Sequence, residues 1–323
     1  MTKQTMKKIP ILLLALAAMP ATAQRTETTL NEGWEFAKGD SGQWNEVRVP
    51  HDWAIYGPFD RANDLQVTAV KQNGETRESL KTGRTGGLPF IGRGAYRTNV
   101  NIADTAQRSI TLVFDGAMSN AHVRVNGKEV AFWPYGYNSF HVSLDSVMRP
   151  GDNSVEVELE NFEHQSRWYP GAGLYRNVHL VNTHRVHIPV WGTYVTTPRV
   201  GEDYASVKLQ MRIDGARKKE KVDVSTVILD PQGTEVASDR STYHAHGQDF
   251  TQSFLVNSPE LWSPESPALY TARTTLSLGG KVVDEYDTRF GIRSLDYVPE
   301  KGFFLNGVPT KFKGVCNHHD LGP

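Results

Sequence analysis

Apolar residues recur at every second position along much of this chain, and that period decides what it can fold into. Asn153 to Glu160 reads NSVEVELE, a strict alternation. A period of two lays one face of an extended strand on a core and the other in water, whereas a helix needs a period near 3.6. Arg108 to Phe114 (RSITLVF) and Arg176 to Ile188 (RNVHLVNTHRVHI) read as strands in the same way. Ala121 to Trp133 (AHVRVNGKEVAFW) reads as a hairpin, with Asn126-Gly127 supplying the positive-φ turn. No convincing helix follows residue 23, so an all-β chain is expected.

The strands fall into two runs. Residues 24–183 read as one sandwich, with Gln66 to Gly94 and Phe162 to Gly173 as long polar loops without strands. Residues 184–292 hold a second run, with strands at Ser206 to Ile213, Lys221 to Leu229, Thr234 to Arg240, Asp249 to Val256, Tyr270 to Leu278 and Lys281 to Phe290. Asp230-Pro231-Gln232-Gly233, Ser258-Pro259 and Gly279-Gly280 separate them. That strand density predicts an immunoglobulin-like sandwich. Cys316 is the only cysteine, so no internal disulfide can form and both units must rest on buried cores. Residues 293–323 open a third unit, where Gly302 to Val315 (GFFLNGVPTKFKGV) reads as a hairpin about Asn306-Gly307. Its second arm runs into Cys316-Asn317-His318-His319-Asp320 with nothing to cover its edge. The expectation is a chain that is incomplete there.

Residues 1–23 differ in kind. Lys3, Lys7 and Lys8 precede an apolar run from Ile9 to Met19, and Ala21-Thr22-Ala23 offers a small-x-small cleavage pattern. The run is short of the ~20 residues that a membrane span needs. A cleaved secretory signal is expected, and with it export to the periplasm or the outside. Without its three lysines the chain carries 32 basic against 36 acidic residues, a net charge of −4. That balance does not favour a nucleic-acid partner.

Several groups of side chains invite a chemical reading. Glu156, Glu158 and Glu160 share one strand face, which suits a solvated ladder better than a paired-carboxylate hydrolase site. His318, His319 and Asp320 are metal-ligand types, but adjacent histidines on an extended segment point to opposite faces. His244 and His246 sit on a polar loop, and Cys316 lacks the arrangement of a nucleophile with its base. The loop from Glu163 to Arg176 (EHQSRWYPGAGLYR) is more informative. Trp168 and Tyr169 offer faces for sugar C–H surfaces, and Arg167 offers paired donors to hydroxyls. A structural plug is the competing reading of the same residues.

Taken in order, the blocks resemble the N-terminal part of glycoside hydrolase family 2, the β-galactosidase and β-glucuronidase group. They are WNEVRVPHDW (Trp44 to Trp53), GAYR (Gly94 to Arg97), VRVNG (Val123 to Gly127), GYNSF (Gly136 to Phe140) and GDNSVEV (Gly151 to Val157). SRWYPGAGLYR (Ser166 to Arg176), FGIRS (Phe290 to Ser294) and FLNGVPTKFKGVCNHH (Phe304 to His319) complete the series. The resemblance implies a jelly-roll sugar-binding domain, an immunoglobulin-like sandwich, and the first strands of a truncated (β/α)8 barrel. It implies a retaining exo-β-glycosidase acting on β-linked oligosaccharides, whose acid/base and nucleophile glutamates lie beyond this stretch. No catalytic residue is therefore expected here. Substrate contacts are expected at His318, Arg167, Trp168 and Asn161, with His319 and Asp320 on the rim. Glu163 is an alternative to Asn161. The resemblance implies no cofactor in this portion, leaves magnesium or sodium open for the full-length enzyme, and leaves homo-oligomers open. The rival reading is a stand-alone carbohydrate-binding protein of two sandwiches; an adhesion module is a third.

Overall fold

The computed structural model describes residues 25–60, 62, 65–81, 90–162, 171–244 and 249–316. Their regular structure is antiparallel strand, apart from two short 3-10 turns at Ala54–Tyr56 and Lys71–Asn73.

The first sandwich faces a six-stranded sheet against a four-stranded one. The larger runs Asn45–Val47, Trp34–Lys38, Arg93–Ile102, Gly151–Glu160, Ala121–Val125 and Lys128–Trp133 from edge to edge. The smaller runs Thr26–Thr29, Val178–His184, Arg108–Phe114 and Phe140–Ser143. Alternation explains the burial. Asn153, Val155, Val157 and Leu159 point into the core, while the residues between them are exposed or half-buried. Across the sheets Trp34, Tyr96, Leu112, Phe114 and Leu144 form one continuous core. The Asn126-Gly127 turn has φ of +51° and +76°, as its hairpin requires. Glu158 pairs with Arg124 at 2.6 Å and Glu160 with Arg93 at 3.2 Å, so the glutamate ladder is a solvated, charge-paired face.

The second sandwich has its own core, from Val186 to Ile292. A three-stranded sheet (Thr193–Val200, Tyr204–Met211, Phe250–Asn257) faces a four-stranded one (Glu235–His244, Lys221–Leu229, Tyr270–Leu278, Lys281–Phe290). A buried polar contact crosses between the sheets. Thr226 Oγ1 donates to Gln252 Oε1 at 2.6 Å, and Thr274 Oγ1 lies 2.9 Å away. These groups satisfy one another, so they add specificity at small cost.

Three local expectations need correcting. Thr193–Val200 is a strand that the alternation does not reveal, because its register shifts between Thr196 and Arg199 and breaks the period. The polar stretch after Gln66 contains a small hairpin, Gln66–Thr68 with Ser79–Lys81. Val67 and Leu80 are exposed, so there is no buried face to advertise it. The arm expected from Thr310 to Val315 stops at Pro309. Gly302–Leu305 instead takes Leu295–Val298 as its second partner, and residues 311–316 are exposed and carry no strand. A strand needs a hydrogen-bonded neighbour, and none of the described residues supplies one.

The two sandwiches are tied at their junction. Arg185 binds Glu220 through two nitrogens, at 3.0 and 2.6 Å, and also donates to the Gly215 carbonyl at 2.6 Å. The Arg185 hydrogen bonds hold the Glu220 carboxyl down to about 2. A lowered carboxyl contributes stability above its ordinary range and loses it as the pH falls through the folded value. The pair is partly solvated, so its contribution at neutral pH is about 1–2 kcal/mol. Stability should therefore fall between pH 4.5 and 2, and Glu220→Gln should flatten that part of the curve. Urea unfolding at half-unit pH steps checks this; an unchanged slope in the variant rules it out.

Candidate functional site at the end of the first sandwich

The polar loop that holds Arg167 and Trp168 leaves the large sheet after Glu160 and returns at Gly171. Arg167, Trp168, His318, His319 and Asp320 lie outside the described residues, as does Glu163. Asn161 is described, and it is buried. Its backbone N–H donates to the Gly92 carbonyl at 2.9 Å, and its side-chain Nδ2 donates to the Gly171 carbonyl at 3.2 Å. Asn161 thus closes the neck of the loop, because one amide spans both ends.

Behind the neck stands an aromatic wall that links residues far apart in sequence. Phe36 stacks on Trp53 at 5.5 Å, and Tyr96 lies 4.9 Å from Phe36. The Tyr96 hydroxyl is 2.7 Å from His51 Nδ1 and donates to the His51 carbonyl at 3.2 Å. His51 N–H donates to the Leu174 carbonyl at 2.8 Å, which brings the returning loop against the wall. Gly173 makes this approach possible. At φ +84° it sits where an added Cβ would fall 2.3 Å from the Tyr96 hydroxyl and 2.5 Å from the His51 carbonyl.

Charge is kept low in this wall. Burial holds the His51 ring below its ordinary range, so it is neutral at neutral pH. Burial pushes the Tyr96 hydroxyl well above its ordinary value, so it keeps its proton and donates. Asp52 is half-buried at the edge, where Oδ1 accepts from the Ala54 N–H at 3.0 Å. Outside it Tyr56 and Phe59 are exposed, and the Tyr56 ring stacks on His51 at 6.0 Å. Phe162, next to the neck, is also exposed. Phe36, Trp53 and Tyr96 are themselves buried, so the wall is a core support for the loop neck, and only Tyr56, Phe59 and Phe162 present aromatic surface near it.

The sequence offers Asn161 as a sugar contact, whereas the structure shows it buried and bonded to the Gly92 and Gly171 carbonyls; the sequence does not offer the His51–Tyr96 pair. His51 lies in the VPHDW block and Tyr96 in GAYR, yet nothing local says that they meet across 45 positions. Among the described residues no three His, Cys, Asp or Glu side chains gather to hold a metal ion, and Cys316 is exposed and free.

Two antiparallel sandwiches in series, each with its own core, define an all-β two-sandwich protein. The family model for "Glycosyl hydrolases family 2" matches residues 186–293. The beta-galactosidase BoGH2A of Bacteroides ovatus is 36% identical over 95% of this chain and 36% of its own length. A beta-glucuronidase of Bacteroides fragilis is 26% identical over 96% of this chain and 44% of its own. A solved glycosyl hydrolase family 2 member from Bacteroides cellulosilyticus superposes with a TM-score of 0.78 at 32% identity, covering 92% of this chain and 39% of that one. The chain belongs to glycosyl hydrolase family 2. It spans about a third of the length of curated relatives such as BoGH2A, and so corresponds to only part of a full-length enzyme.

Proposed function

We propose that this chain is the sugar-facing N-terminal part of an exported, retaining exo-β-glycosidase, most like a β-galactosidase. The observation that carries this reading is the match to BoGH2A, which runs through 95% of this chain yet over 36% of that enzyme. In the whole enzyme one glutamate would protonate the leaving oxygen and another would attack the anomeric carbon. Both would come from a (β/α)8 barrel, which the segment after Arg293 would begin. Residues 24–183 would supply the side wall of the pocket and 184–292 a sandwich between wall and barrel. Arg167 and Trp168 would meet the sugar from the loop that Asn161 closes, while His318, flanked by His319 and Asp320, would reach it from the barrel side. Export would follow from residues 1–23, and a magnesium or sodium ion, if the whole enzyme uses one, would be held mainly by barrel residues.

The test is the full-length enzyme on nitrophenyl β-galactoside and nitrophenyl β-glucuronide, with NMR of the first-formed anomer. Turnover of the galactoside with retention is expected. Trp168→Ala should raise KM about 3- to 10-fold, since an aromatic face contributes about 0.5–1.5 kcal/mol. The 323-residue chain alone should give no turnover. Clear turnover by that chain, or inversion by the whole enzyme, would overturn the reading.

A further inference from the structure

The second sandwich rests against the outer face of the first sandwich's four-stranded sheet, and the two surfaces do not fill the space between them. They leave a cleft of about 280 Å³. Its floor is the outward row of two neighbouring strands: Ser109 and Thr111 from Arg108–Phe114, and His141 and Ser143 from Phe140–Ser143. Its opposite wall includes His187 and Arg212. The neck closed by Asn161 lies elsewhere, at the end of the large sheet.

The polar groups of the cleft divide into spent and unspent. Asp145 accepts from Ser109 Oγ at 3.0 Å and from the Ile110 N–H at 2.6 Å. Arg185 is held by Glu220, and Arg212 pairs with Asp214 at 3.1 Å. With each cation matched and Asp145 left over, the cleft has no surplus positive charge to attract a carboxylate or phosphate. His187 Nδ1 lies 2.9 Å from the Arg185 carbonyl, which can only accept, so Nδ1 carries a proton and Nε2 is left facing the cleft without a partner among the described residues. Partial desolvation and the nearby Arg212 cation lower the His141 ring from its ordinary value, and among the described residues its nitrogens make no hydrogen bond. The hydroxyls of Thr111 and Ser143 likewise have no side-chain partner among the described residues. Thr111, His141 and Ser143 thus leave polar groups spaced along two strands, with His187 opposite.

Beside them stands Trp191. It is 55% exposed, and its ring meets His141 edge-on at 5.3 Å. It occupies the third position of the turn closed by Gly192 N–H on the Pro189 carbonyl at 2.8 Å, with φ +56°. Glycine or asparagine is the ordinary choice at such a position, and a bulky residue there is an outlier. Held so, the indole stands out beside the cleft instead of packing into a core.

We propose that this cleft is a carbohydrate-binding site, which takes a neutral pyranose with its C–H face on Trp191 and its hydroxyls on His141, His187, Thr111 and Ser143. The proposal does not depend on the enzymatic reading, since a flank that holds sugar would serve an enzyme or a binding module alike.

The test is calorimetric titration of the full chain with methyl β-galactoside, methyl β-glucoside, lactose and sodium glucuronate, each to about 20 mM, where a Kd near 1 mM is readable. At least one neutral sugar should bind, and glucuronate should bind at least tenfold more weakly. Trp191→Gly removes the indole and relieves the turn, so the melting temperature should hold or rise while affinity falls at least tenfold. His141→Ala should also weaken binding. The proposal fails if no neutral sugar binds, if glucuronate is preferred, or if Trp191→Gly binds like the parent.

Discussion

Asp284→Ala is expected to cost about 3–5 kcal/mol of folding stability, the usual penalty for removing one partner of a buried ion pair. Asp284 is fully buried, on the strand Lys281–Phe290. Its carboxylate accepts from Arg25 Nε at 3.1 Å, from Arg25 Nη2 at 3.0 Å and from the Ile188 N–H at 2.8 Å. Arg25 also donates to the Ile188 carbonyl and lies over the Tyr286 ring at 4.6 Å. Without the carboxylate, a largely buried guanidinium and a backbone N–H both lose their acceptor. The pair joins the first described residue to the second sandwich, so its loss should loosen both. Urea unfolding of the full chain measures it, and a double-mutant cycle with Arg25→Met isolates the pair. A cost under about 1 kcal/mol would show that water takes over these bonds.

Gly173→Ala should be nearly as damaging, at about 2–5 kcal/mol. Part of that is the left-handed backbone, and the rest is overpacking, because the His51 carbonyl that the new methyl meets cannot swing away as a side chain would. Gly127→Ala is the control. Gly127 also has positive φ, at +76°, but an added Cβ there meets nothing within 4 Å, so only the backbone cost of about 1 kcal/mol should remain. In Gly173→Ala the His51 ring should also lose its hydroxyl neighbour, and the ring's NMR signals should shift. Equal melting temperatures for the two variants would mean that the wall yields, and that Gly173 does not set the position of the returning loop.

Much of the fold was legible because strands with one buried face announce themselves. Arg108–Phe114, Lys221–Leu229, Tyr270–Leu278 and Lys281–Phe290 fall where the alternation puts them. Strands without a clean buried face stayed hidden. Thr193–Val200 is bulged, and the Gln66–Thr68 hairpin is exposed. In the other direction, Thr310 to Val315 reads as a strand arm but lacks a partner to make it one.

The candidate site divides in the same way. Residue types marked the loop after Asn161 as suited to sugar, but not that Asn161 holds its neck, since that depends on where Gly171 returns. Local chemistry, meaning side-chain period, turn residues and the lack of a second cysteine, determined an all-β chain resting on cores without disulfides. The placement of sheets decided the rest. Arg25 meets Asp284 across 259 positions, and His141 faces His187 across a gap that neither strand encodes. Such contacts follow from how finished sandwiches pack, and a packing of surfaces has no local period to read.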